Sequence, residues 1–179
     1  MSTLTATTVN ATTLKANTIQ DSNAVAKNTI NVYEQWTYET QDTTLASGSD
    51  LTTFTIDSRT GIGSLNPGMS HSSGVWTFPS TGTWLVEIMA TMYTSGAART
   101  YAGPTLFLST DTGTNYTAMQ YIYMNGYQSG AHGSVFYKCI LNVANVSTYR
   151  IKYQNTSQGN TVYRGGGDAG TRLFFQKIG

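Results

Sequence analysis

The sequence predicts an all-β fold, an antiparallel β-sandwich preceded by an extended N-terminal arm. Composition gives the first reason: charged residues make up 11% of the 179 residues, against roughly 25% in an average soluble domain. Polarity falls instead to Thr, Ser, Asn, Gly and Tyr. Thr, Tyr and the β-branched apolar residues suit a pleated, half-buried surface, and Gly and Asn supply turns. The Ala, Glu, Lys and Leu mixture that builds long helices is missing. The second reason is punctuation, since short apolar runs alternate with turn signals and no strand–helix–strand rhythm appears.

Residues 1–32 stand apart from the rest. An apolar residue recurs every five positions at Leu4, Val9, Leu14 and Ile19, then more loosely at Val25 and Ile30. Five matches neither the strand period of two nor the helical 3.6. Such a segment cannot bury its apolar residues alone. Its partner is the next coil of a solenoid, sister chains wound about an axis, or the surface of another protein. A solvated Thr-rich tail is the plainer alternative. The segment reads as an attachment arm or stem, with Leu4, Val9, Leu14 and Ile19 as its contact residues.

Residues 33–179 read as one head domain. Tyr33–Tyr38 alternates and opens it; Leu51–Ile56 follows, closed by the turn Asp57-Ser-Arg-Thr-Gly61. Gly61–Gly74 reads as a loop and Gly74–Pro79 as a short strand. Thr83–Tyr93 is the longest candidate. Its core face is Trp84, Val86, Ile88, Ala90 and Met92, and the opposite face, Leu85, Glu87, Met89, Thr91 and Tyr93, is too apolar for a solvated surface. That points to a subunit contact. Further strands are expected at Thr105–Ser109, Tyr116–Met124, Ser134–Val143, Thr148–Gln154 and Thr171–Ile178. Turns fall at Asp111–Gly113, Gly126–Gly133, Ala144-Asn145 and Gly165–Gly170. Roughly eight to ten short strands with regular turns describe a sandwich, jelly roll or barrel.

Little in the chain suggests chemistry. The single Cys139 excludes an internal disulfide and sits in an apolar run, as a small buried side chain does. His71 and His132 fall in Gly- and Ser-rich stretches without metal-ligand spacing, and solvated loop positions are expected for both. Asp111-Thr112-Gly113 imitates the aspartic-protease string, but one copy needs a homodimer to pair two carboxylates; a tight turn explains it more simply. It also lacks the further carboxylates of a calcium loop. Gly165-Gly166-Gly167 has no Lys-Ser/Thr after it and reads as a turn, not a phosphate loop. The chain is expected not to be an enzyme and to need no metal or cofactor. A formal net charge of +1 offers nothing to nucleic acid, and no apolar run is long enough to span a membrane. The N-terminus lacks a secretory signal pattern. Twelve tyrosines, with Tyr116, Tyr121, Tyr123 and Tyr127 clustered, suit subunit contacts, carbohydrate recognition or simply strands.

Phe78-Pro79-x-x-Gly82-x-Trp84-Leu85-Val86-Glu87 resembles the signature turn and long central strand of C1q/TNF-like jelly rolls. Trp84 stands where that family more often has Tyr. Phe136–Val143, Tyr149–Tyr153 and Gly170–Gly179 are similar to its closing strands, so the resemblance covers residues 33–179. The resemblance implies a homotrimeric head, with Leu85, Met89, Tyr93, Tyr121, Tyr123 and Phe175 at the three-fold interface. In place of a collagen-like stalk stands the pentad arm, a combination resembling small virion proteins of tailed bacteriophages. The implied function is a capsid decoration (cement) or head-fibre protein, folded in the host cytoplasm and carried on the virion. Residues 1–32 would bind capsid, neck or tail proteins. A receptor-binding tail fibre, or a free-standing carbohydrate- or protein-binding module recognising a host-surface glycan or protein, is the alternative.

Overall fold

The computed structural model describes residues 32–39, 43–59, 64–94, 96–165 and 170–179, with backbone only at Gly126 and Tyr127. The arm residues Leu4, Val9, Leu14 and Ile19 lie outside the described residues. Numbered along the chain, the larger sheet holds β1 (Val32–Tyr38), β2 (Thr43–Leu45), β3 (Phe54–Ile56), β6 (Gly82–Thr94), β11 (His132–Val143), β13 (Thr161–Tyr163) and β14 (Arg172–Lys177). The smaller sheet runs β4 (Ser70–Ser72), β5 (Val75–Thr77), β12 (Arg150–Asn155), β8 (Pro104–Ser109) and β9 (Thr117–Tyr121), in that spatial order. A separate ribbon pairs β7 (Arg99–Ala102) with β10 (Met124–Tyr127). Every pairing among these strands is antiparallel.

The core lies between the two sheets and follows the alternation of β6. Trp84, Val86, Ile88, Ala90 and Met92 are all 0% exposed. From the smaller sheet they meet Trp76, Leu106, Ile151 and Tyr153, also fully buried. Trp76 sits at the centre of an aromatic cluster, edge-on to Phe54 at 5.1 Å and Tyr153 at 6.3 Å. Such pairs add about 0.5–1.5 kcal/mol each beyond their buried area.

Two buried polar groups pin loops to this core. Glu34 is 0% exposed; its carboxylate accepts from the Trp36 indole at 2.9 Å and from the backbone N–H groups of Gly68 and Met69. At the other end Asn155 Oδ1 accepts from the Ser157 and Tyr163 hydroxyls, while its Nδ2 donates to the carbonyls of Leu45 and Ala46. Each hub is buried with its hydrogen bonds made, which is the condition for a polar group in a core not to destabilise it.

Several expectations need correction. The loop expected over Gly61–Gly74 contains β4, which pairs with β5 across a tight turn at Ser73-Gly74, both at positive φ. His71 is therefore a half-buried strand residue and not a solvated loop residue: it stacks on Trp76 at 4.4 Å, and its Nε2 accepts from Gly74 N–H. Burial pushes its pKa down, with the charge of Glu39 acting against it. Only Phe54–Ile56 of the expected strand 51–56 is regular, although Leu51 is fully buried and its N–H bonds to Tyr153 O. The expected strand over 116–124 breaks at Ile122-Tyr123, and part of the expected turn 126–133 belongs to β10 and β11. Strands β2, β7 and β13 lie outside the strands expected from the sequence. Cys139 is half-buried on an edge strand; burial raises its pKa, with a hydrogen bond from Tyr137 opposing.

The Phe78–Trp84 signature has a physical explanation. Phe78 packs edge-on against Trp84 at 5.4 Å, and the Trp84 indole N–H returns to Ser80 O at 3.2 Å. Gly82 lies between them at φ +125°, and a Cβ there would come within 2.3 Å of Gly179 O. Thr83 N–H donates to that same oxygen at 2.7 Å, and Ile178 and Gly179 donate back to Thr83 O. The glycine thus admits residues 178–179 beside the start of β6. Gly82→Ala is expected to destabilise the head by about 2–4 kcal/mol, seen as a lower urea midpoint; an unchanged midpoint would refute this account of the signature.

Candidate subunit interface

The face of β6 turned away from the core is the part of the head that resists explanation within one chain. Leu85, Glu87, Met89, Thr91 and Tyr93 are half-buried there by their neighbours in the same sheet. The register builds rows across four strands. Leu85 lies between Ile140 on β11 and Gln176 on β14, with Tyr33 of β1 beyond. Glu87 lies between Lys138 and Phe174, and Met89 between Phe136 and Arg172. Thr91 shares a hydroxyl–hydroxyl hydrogen bond of 3.1 Å with Ser134, and Tyr93 stacks on His132 at 4.7 Å.

The outer members of these rows are the most exposed large apolar side chains described: Ile140 at 64% and Phe136 at 59%. They project from β11, which pairs with β6 at the margin of the larger sheet. Solvated singly such residues are unremarkable, but here they continue into Leu85, Met89 and Phe174 as one surface. A second exposed apolar group, Met119 at 46%, lies on β9, the terminal strand of the smaller sheet.

Polar groups close the far flank of the face. Gln35 Nε2 donates to Asp57 Oδ2 at 2.7 Å, and Arg59 forms an ion pair with the same carboxylate at 2.6 Å. The Arg59 hydrogen bond, ahead of the contribution from Gln35, holds Asp57 down to about 2 although burial opposes it. Tyr33 is pushed the other way, its pKa raised by burial and by the nearby charge of Glu87.

The six side chains expected at a three-fold interface thus separate into three groups. Leu85, Met89 and Tyr93 share the outer face of β6. Tyr121 and Tyr123 lie elsewhere, stacked at 5.7 Å where β9 ends. Phe175 cannot face a neighbour: it is 0% exposed, in the core beside Trp76 at 6.0 Å. Its register with Val86 turns it inward and leaves Phe174, opposite Glu87, on the outer face. Phe136, Ile140 and Phe174 are the face residues that sequence reasoning missed; their signal was the period-two alternation with Tyr137, Cys139 and Phe175.

The Asp111-Thr112-Gly113 string forms a turn. Asp111 accepts from Asn115 N–H at 2.9 Å, Asn115 Nδ2 at 2.7 Å and the Ser109 hydroxyl at 2.7 Å, as a turn-forming residue does. Those bonds, the Asn115 N–H foremost, hold its carboxyl down to about 2. Among the described residues no three His, Cys, Asp or Glu side chains are grouped to hold a metal ion. No helix among them is long and apolar enough to cross a membrane.

No protein-family model and no curated protein sequence matches the chain. Its fold is similar to that of Eiger TNF from S. frugiperda, with a TM-score of 0.66 at 12% identity over 84% of this chain and 94% of that one. Murine APRIL at pH 5.0 aligns with a TM-score of 0.57 at 10% identity, over 82% and 98% of the two chains. The globular domain of a zebrafish complement 1qA protein aligns at 0.51 and 9% identity, over 84% and 97%. At such identities the likeness is one of fold: the head is a C1q/TNF-like jelly roll.

Because Asp57 is depressed when folded, its contribution is present above the ordinary carboxylate value near 3.9 and is lost as pH falls towards 2. Asp57→Asn should lower the urea midpoint at pH 7 and flatten the fall in stability between pH 4 and 2. An unaltered acid limb in the variant would remove Asp57 from the flank's stabilisation.

Proposed function

We propose that this chain is a homotrimeric virion structural protein, anchored to a phage particle by residues 1–32 and projecting a jelly-roll head. The observation that carries the reading is the largely apolar outer face of β6, β11 and β14, where Ile140 lies beside Leu85 and Phe136 beside Met89. A closed ring of three subunits uses two different patches on each, one meeting the other. The head offers such a pair: the sheet face with Leu85, Met89, Phe136, Ile140 and Phe174, and the terminal strand β9 of the smaller sheet with Met119. Burial is worth about 25 cal/mol per Å² of apolar surface, so a few hundred Å² per subunit supplies many kcal/mol before association costs. The similarity to C1q- and TNF-type folds supports a ring of three.

The virion assignment rests on the arm. Its five-residue apolar period suits the surface of another protein as partner, and β1 starts beside the end of β14 where Val32 pairs with Lys177. An arm entering at that pole would leave the β7–β10 end of the head pointing away from whatever the arm grips. Within this class a capsid decoration or head-fibre role is the first reading. A receptor-binding tail fibre is the second reading, favoured by the tyrosine-bearing ribbon at the far pole.

Native mass in solution tests the ring. The full chain should run as three copies, and Phe136→Glu or Ile140→Glu should reduce it to one with an unchanged far-UV spectrum. A monomeric unmutated chain would reject the trimer. Replacing Leu4, Val9, Leu14 and Ile19 by Ser should leave the trimer intact and abolish co-sedimentation with phage particles. Undiminished co-sedimentation would reject the arm as the anchor.

A further inference from the structure

Connections between jelly-roll strands need only turn the chain, yet two of them here do more. Residues 96–103 and 122–131 leave both sheets and pair as the β7–β10 ribbon. The ribbon is built with care. Gly103 passes so close to Ile122 that a Cβ would lie 1.7 Å from Ile122 O, a contact only glycine allows. The other margin of β7 is tied to residues 156–158: Thr156 N–H bonds to Gly103 O, and Thr100 N–H to the Gln158 side chain at 2.7 Å.

This scaffold orders a row of tyrosines. Tyr101 and Tyr123 stack at 4.7 Å, and Tyr123 and Tyr121 at 5.7 Å, tilted at 42° and 38°. Those steps are comparable to the spacing of successive rings in a linear glycan. Tyr121 leaves 54% of its surface exposed, and the exposed amides of Gln120, Asn125 and Gln158 rim the row. Arg99 is the only charged residue in segments 95–103, 120–131 and 155–160. An anionic ligand or a nucleic acid would need more cations than this. The β6 face offers a subunit contact Leu85, Met89, Phe136, Ile140 and Phe174 with few amides, whereas tyrosine rings beside amide donors and acceptors match the C–H and hydroxyl faces of a neutral sugar.

We infer that the Tyr101–Tyr123–Tyr121 row is a binding platform for a neutral oligosaccharide. Its orientation away from the particle rests on the arm reading above; the binding itself does not. The test titrates the full chain with a panel of linear glucan, mannan, galactan and N-acetylhexosamine hexasaccharides, using calorimetry, with native mass measured on the same samples. At least one should bind saturably, Tyr121→Ala and Tyr123→Ala should each weaken it at least tenfold, and Tyr121→Phe should retain it. All variants should keep the native mass of the unmutated chain. No saturable binding to any member would overturn the proposal. A fall in native mass in Tyr121→Ala would overturn it differently, assigning the row to a subunit contact. A monomeric unmutated chain that still binds sugar would sink the trimer and leave the platform standing.

Discussion

Strand β6 is the constraint on which the rest of the head depends. Over thirteen residues it is hydrogen-bonded on one side to β11 along nearly its whole length. On the other side it pairs first with β14 and then with β13. Its inward side chains fix the core, so a slip of one residue would exchange Trp84, Val86 and Ile88 for Leu85, Glu87 and Met89 and bury a carboxylate. The register therefore has no near competitor. The same rigidity fixes the outward rows, because β11 and β14 inherit their phase from β6. An apolar surface on both faces of one strand is the sequence property from which the sandwich and the proposed ring both follow.

Legibility in the sequence tracks length. The alternation from Trp84 to Tyr93 and from Val135 to Val143 spans enough residues for period two to show, and both strands lie where it placed them. The three-residue strands β2, β4 and β13 carry no periodicity of their own; partners such as Val162, bonded between Tyr93 and Thr44, supply their order. Phe175 shows a different limit. In Arg172-Leu-Phe-Phe-Gln either phenylalanine could face inwards, and the register against Val86 decides it. Likewise the break after Tyr121 is set by Gly103, eighteen positions earlier, and only the fold brings the two together.

Polar residues in this head build structure where a more charged protein would use ion pairs. Glu34 and Asn155 each gather backbone groups from loops distant in sequence. Asp111 organises its own turn, and Asp57 joins the end of β3 to β1 through Gln35 while Arg59 pairs with it locally. These carboxylates serve the architecture; on the outer face of β6 the charges are Glu87, Lys138 and Arg172, set in rows with apolar side chains, and near the tyrosine row the one charge is Arg99. Contacts made at the tyrosine row would depend on shape and hydroxyl geometry, and weakly on salt.

The place of β14 governs how the head can come into being. That strand, residues 172–177, is inserted between β1 and β6 and bonded to both. A growing chain must therefore hold β1 without its β14 partner until residue 177 has left the ribosome. Pairings of such long sequence separation are slow to form, and through that interval the margins of β1 and β6 are open to strands of other chains. Synthesis at about 5–20 residues per second keeps these margins unpaired for several seconds. The sparing use of charge that suits the finished surface gives the nascent chain little protection against such encounters, so its yield should be sensitive to expression rate and to chaperones that shield exposed strands.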